Sequence, residues 1–109
     1  SLGGGLTVIS TGALDLGTGA IGGALLATSN DGAISQAGGL TVTGTSGINA
    51  GDNSITLDEV TNNFIGAVSL TTTNTSAVEI TDGGALTLGT LSLGGGLTVI
   101  STGALDLGT

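Results

Sequence analysis

Eight carboxylates are the only ionisable side chains in this sequence: Asp15, Asp31, Asp52, Asp58, Glu59, Glu79, Asp82 and Asp106. No Lys, Arg or His accompanies them, and the formal net charge is −8. Carboxylates alone support two kinds of chemistry. One is paired acid–base work on a glycosidic bond, which needs two acids converging on one oxygen. Asp52 and Asp58 flank a short apolar segment, and Asp58 is followed directly by Glu59. Adjacent residues of a strand face opposite sides, so this pair does not converge. A lyase mechanism would need a cation or a basic side chain, and the chain has no base. The sequence predicts no catalytic residue and no enzymatic activity.

The second chemistry is binding of a hard cation, because calcium takes oxygens from carboxylates, amides and carbonyls. The segment AGDNSITLDE at 50–59 offers Asp52 and Asp58, SNDG offers Asp31, and TDGG offers Asp82. These four are the candidate calcium ligands. The glycine-rich nonapeptide of calcium-binding β-rolls is absent, since Leu-Thr-Val follows the GGG runs. The competing reading makes these acids solvated groups or turn formers. A third surface chemistry, ice binding, would use flat rows of Thr-x-Thr. Thr41/Thr43 and Thr71/Thr73 have that spacing, but Gly89 interrupts the row beside Thr87.

What must position these residues is legible from repetition. Residues 1–18, SLGGGLTVISTGALDLGT, recur without change at 92–109. The chain thus reads as one complete unit, 1–91, followed by the start of an identical unit, within a longer tandem array. Inside the unit, 21–35 aligns with 65–79 at an offset of 44, so the unit divides into two diverged halves of about 45 residues. The alignment pairs Leu25 with Ser69, which places Leu25 outside.

A shorter period runs throughout. Aliphatic pairs separated by one polar residue recur as Leu14/Leu16, Leu40/Val42, Ile55/Leu57, Val68/Leu70, Val78/Ile80 and Leu86/Leu88. This is the alternation of a strand with one buried face. Gly-, Asn- and Asp-rich turns separate the pairs. The segments start roughly every seven residues, about twelve to a unit. Twenty-three glycines leave no window free for a helix. The chain is predicted to be all-β.

The core must also be thin, because Phe64 is the one aromatic. A parallel β-helix, or β-solenoid, meets that demand with short strands stacked at about 4.8 Å. The expected form is about four three-stranded coils per unit, each of roughly 23 residues, with these paired aliphatics inward. Residues 1–18 and 92–109 would then share a conformation about four coils apart. Phe64 either fills a wider part of the core or stands out as a ligand contact.

Absences narrow the partners. Without a base the chain cannot neutralise phosphates, which excludes direct nucleic-acid binding. Its apolar runs are too short to span a membrane. No Cys or His is present for disulfides or zinc. The missing Met and the absence of a charged amino-terminal leader suggest a segment of something longer.

The strings GGLTVTGTSGINAG, AVEITDGGALTLGT and GGGLTVISTGALDL resemble the repeats of filamentous-haemagglutinin-like exoproteins and β-strand-repeat adhesins of Gram-negative bacteria. The resemblance implies a right-handed parallel β-helix at the cell surface, acting as a shaft. It implies an extracellular place and copies or neighbouring repeats stacked end to end as partners, with no resident cofactor. The alternative function is a calcium-binding or ice-binding solenoid.

Overall fold

The computed structural model describes residues 2–30 and 32–107. Its fourteen strands are β1 (Leu6–Ser10), β2 (Leu14–Asp15), β3 (Gly19–Ile21), β4 (Leu25–Ser29), β5 (Ile34–Ser35), β6 (Leu40–Val42), β7 (Ser46–Gly51), β8 (Ile55–Leu57), β9 (Asn63–Phe64), β10 (Val68–Thr72), β11 (Val78–Asp82), β12 (Leu86–Ser92), β13 (Leu97–Ser101) and β14 (Leu105–Asp106). Every pairing between them is parallel, and no helix forms among the described residues. Parallel neighbours with such short connections require the chain to circle an axis. Three faces result. One carries β1, β4, β7, β10 and β12, a second carries β2, β5, β8, β11 and β13, and a third carries β3, β6 and β9, continued by the first part of β12 and by β14, which pairs with it. The molecule is a β-solenoid of about five turns.

Each face buries alternate residues. Leu40, Val42, Ile55, Leu57, Val68, Leu70, Val78, Ile80, Leu86 and Leu88 are all buried, as the alternation predicted. Leu14 and Leu16 are inward but half-buried, since they lie in the first, uncovered coil. Each buried Leu, Ile or Val contributes about 1.5–3 kcal/mol. Phe64 is buried among them and continues the row Ile21, Val42, Phe64 on the third face. It is a core residue and not a surface contact. Small residues let coils approach at the corners. Gly23, Gly44 and Gly66 sit one above another, and a Cβ on Gly66 would stand 2.5 Å from the carbonyl oxygen of Gly44. Positive φ occurs at Gly17, Gly19, Gly51 and Asn74, matching the corner role expected of Gly and Asn.

The coils are shorter than expected. Leu6 pairs with Leu25, Leu25 with Ser46 and Ser46 with Val68, steps of 19, 21 and 22 residues. The step from Ile55 to Val78 alone reaches 23, because the corner 73–77 is two residues longer than the corner 52–54 beneath it. Segments spaced by seven residues number thirteen in 91, not twelve. They are the bridge at Leu2, β1 to β11, and the first part of β12. Strand β12 bends, so that Leu86 lies over β9 while Leu88 and Leu91 pair with β10. Thirteen does not divide by three. A unit therefore makes four and one-third turns. Strand β1 lies on the first face, but its identical copy β13 lies on the second, beside β11. The two copies share strand limits and burial pattern, as predicted, yet they are not related by a whole number of coils.

Leu25 lies inside, not outside as the offset of 44 predicts. Through Ser46 it stacks with Val68, an offset of 43, so Leu25 is 2% exposed. Its neighbour Leu26 is in line with Ser69 and is 51% exposed. An offset wrong by one residue exchanges the inner and outer faces of a strand.

Candidate functional site

The acids are distributed by the coils rather than gathered by them. Among the described residues no group of three acidic side chains is placed to hold a metal ion. Asp31 lies outside the described residues. Asp52 sits at the corner between β7 and β8 and is exposed. Its side chain accepts a hydrogen bond from the Thr73 hydroxyl of the next coil, and its backbone carbonyl accepts one from Ser76. Asp58 is exposed in the loop after β8, one strand away from Asp52. Asp82 is remote in kind as well as place, being 0% exposed. Its Oδ2 accepts from the backbone N–H of Phe64 at 2.9 Å, and its Oδ1 from that of Gly84 at 2.7 Å.

Asp82 shows what several polar residues do here. An Asp, Asn or Ser two residues before a glycine turns its side chain back onto the glycine N–H. Asp15 does this to Gly17 at 2.8 Å, Asn49 to Gly51 at 2.9 Å and Ser10 to Gly12 at 3.2 Å. Each closes a corner where the strand ladder is interrupted and a donor would otherwise lack a partner. Ser29 and Ser101 work in the other sense, donating to carbonyls of the adjacent coil at 2.9 Å (Gly12) and 2.7 Å (Gly84).

The most elaborate polar arrangement is buried, and sequence reasoning did not single it out. Asn62 ends the loop 58–62, directly before β9, and is buried. Its Oδ1 accepts from Gln36 Nε2 at 2.8 Å and from the Leu40 N–H at 2.9 Å. The two protons of its Nδ2 are shared among Gln36 Oε1 at 2.8 Å, the Leu57 carbonyl at 3.1 Å and the Thr81 carbonyl at 3.0 Å. One amide thus ties three successive coils together. Nothing in the spacing of Asn62 announces this, whereas the Asp/Asn-x-Gly corners were readable. The amide and its partners satisfy one another, so the cluster is a staple rather than a reactive centre.

The faces offer no uniform array. On the first face Thr7, Leu26, Gly47 and Ser69 form one outward row, and Ile9, Thr28, Asn49 and Thr71 form the next. Thr41 lies on the third face and Thr71 on the first, while Thr43 and Thr73 lie in the corners that follow β6 and β10. A shallow surface groove runs between 60–63 and Gly83–Gly84. A second opening lies at one end of the core, lined by Leu2, Leu6, Leu16, Ile21 and Leu40. No helix among the described residues is long and apolar enough to cross a membrane.

No curated protein and no solved structure matches the chain. Residues 3–71 and 75–108 match the family described as "Repeats of unknown function (DUF5649)". The two matched stretches run from the first coil to the last and part only at the β10–β11 corner. With solenoid coils repeating through nearly its whole length, the chain belongs to this family of repeats.

Proposed function

We propose that this chain is a structural segment of an extracellular β-helical fibre or adhesin stalk, extended end to end by further units. The observation that supports this most is the seating of the second copy. The sequence LTVIS holds β4 when it stands at 6–10, and it rests in full register on β11 when it stands at 97–101. Both edges of this strand are therefore suited to neighbours, and identical units can follow one another without a break in the sheets. A solenoid of this kind gains stability from nearest neighbours and spans distance in proportion to its length. The absence of convergent acids among the described residues favours a mechanical role over the ligand-binding alternative. The resemblance to filamentous-haemagglutinin-like repeats supports the cell-surface placement.

The test uses arrays of two, three and four units in solution scattering. Each added unit should lengthen the particle by roughly 21 Å, from four and one-third coils at about 4.8 Å each, with an unchanged cross-section. Units that fold back on one another, thickening the particle, would overturn the shaft reading. Antibody labelling of intact source cells tests the placement, and labelling only after lysis would refute it.

A further inference from the structure

We infer that the first face is a docking surface for a second copy of this chain, which packs on it face to face with the two solenoid axes antiparallel. The contact is lateral and does not depend on the shaft reading above.

Charge defines the face. Strands β1, β4, β7 and β10 and residues 88–92 of β12 contain no acid, although the chain carries eight. The second face presents Asp15 and Glu79 to solvent, the third presents Asp106, and Asp52 stands exposed at the corner after β7. Strands β4, β7 and β10 are paired on both sides, so their outward residues form a continuous surface within the sheet. These residues are Leu26, Thr28, Gly47, Asn49, Ser69 and Thr71. Charge also selects the occupant. Each copy carries −8 with no base to answer it, so contact through the other faces brings carboxylates toward carboxylates. A cationic partner is drawn to those acids and gains nothing on the first face. Two neutral faces meet without burying a charge, and Leu26, 51% exposed, leaves water as they do.

Relief fixes the orientation. Along one outward row the side chains fall from Leu26 to Gly47 and Ser69. Leu26 leans over Gly47, its Cδ1 lying 3.2 Å from where a Cβ on that glycine would stand. Beyond it Ser69 lies beside Gly89, and the surface stays low. Parallel axes in register would set β4 on β4, high ground on high ground. Antiparallel axes, related by a two-fold along β7, set each Leu26 over Ser69 and Gly89 of the other copy and Thr28 opposite Thr71. Such a contact is isologous, the same patch meeting itself.

The face measures about 24 by 16 Å, from its five strands at about 4.8 Å and about 3.3 Å for each of five residues. That is roughly 400 Å² per copy, about half of what a standard interface buries on each partner. A single chain therefore pairs transiently. In the array proposed above, the copy of β1 lies on the second face, so the neutral faces of successive units point in three directions in turn. Weak contacts then add along neighbouring rods.

The test traps the pair in the 109-residue chain, which has no cysteine of its own. Thr28→Cys and Thr71→Cys, one of them isotopically labelled, are mixed at about 1 M sodium chloride, where the screening length is about 3 Å. A short bifunctional maleimide links thiols that meet, and mass spectrometry separates mixed from like dimers. Ser35→Cys, exposed on the second face, is the control. Far-UV circular dichroism confirms that each variant is folded.

The mixed dimer should form severalfold faster than either like dimer or the control, and faster as salt is raised. Adding Leu26→Glu to both variants should return it to the control rate. Like dimers equal to or above the mixed one would refute the antiparallel pairing. Linking at the control rate throughout, or linking that Leu26→Glu leaves unchanged, would refute the docking surface. A chain that stays monomeric but shapes growing ice, and loses that ability with Leu26→Glu, would assign the face to ice instead. None of these results decides the shaft reading, which the length increment of the arrays tests.

Discussion

Replacing Asn62 with Ala should be among the most damaging single changes outside the aliphatic core. Asn62 is 1% exposed and has five hydrogen-bond contacts, two through Oδ1 and three sharing the two protons of Nδ2, and three of the five reach backbone groups of different coils. The Leu40 N–H has one proton to give and loses its acceptor, which costs about 1–3 kcal/mol for a buried donor. The Leu57 and Thr81 carbonyls each lose a bond with a net value of about 1 kcal/mol. Gln36 is half-buried and can turn to water, so its loss is smaller. The expected destabilisation is about 3–5 kcal/mol. Asn62→Asp keeps the shape and the Oδ1 acceptor. It sets an ionised oxygen against the two carbonyls and Gln36 Oε1, so it should cost at least as much as Ala. The neighbouring Asn63 is exposed, and Asn63→Ala should stay within about 0.5 kcal/mol. With no Trp or Tyr, unfolding is followed by far-UV circular dichroism in urea. A loss under 1 kcal/mol for Asn62→Ala, or an Asp variant more stable than the Ala variant, would refute the staple.

Three further outcomes follow from the same geometry. Leu25→Ala should cost about 2–5 kcal/mol and Leu26→Ala less than about 0.5 kcal/mol; the reverse order in urea titrations would restore the offset of 44. Asp82→Ala strands the Phe64 and Gly84 N–H groups and should cost about 2–4 kcal/mol, whereas Asp15→Ala, at an exposed corner, should cost under about 1 kcal/mol. With all eight charges of one sign, rods should stay apart at low ionic strength and bundle as salt screens them. Equal scattering across a sodium titration would show that neutral contacts dominate.

The fold was legible because it is written in short-range patterns. Alternating pairs such as Val68/Leu70 and Val78/Ile80 identified inner faces, and the scarcity of aromatics demanded a thin core. The register between coils was not legible at that precision. Coil length varies from 19 to 23 residues as corners gain or lose a residue, and a single residue moved Leu25 from outside to inside. The third of a turn was hidden in the same way, because β12 reads as one strand although it serves two faces. Of the acids, Asp15 and Asp82 could have been recognised as corner formers from the glycine two residues later. Asn62 could not, since its role depends on Gln36, 26 residues before it, and Thr81, 19 residues after it, arriving at one corner.

The most direct test of the four-and-one-third-turn unit is an intrachain disulfide in the 109-residue chain. The structure sets Thr98 beside Glu79 on the second face. If the second unit instead began on the face of the first, Thr98 would continue the row of Thr7, Leu26, Gly47 and Ser69. Glu79→Cys/Thr98→Cys and Ser69→Cys/Thr98→Cys are compared at high dilution under mild oxidation, with the bond located by peptide mapping. The expected result is near-complete closure in the first and little in the second. Closure of Ser69→Cys/Thr98→Cys, with Glu79→Cys/Thr98→Cys left reduced, would contradict it.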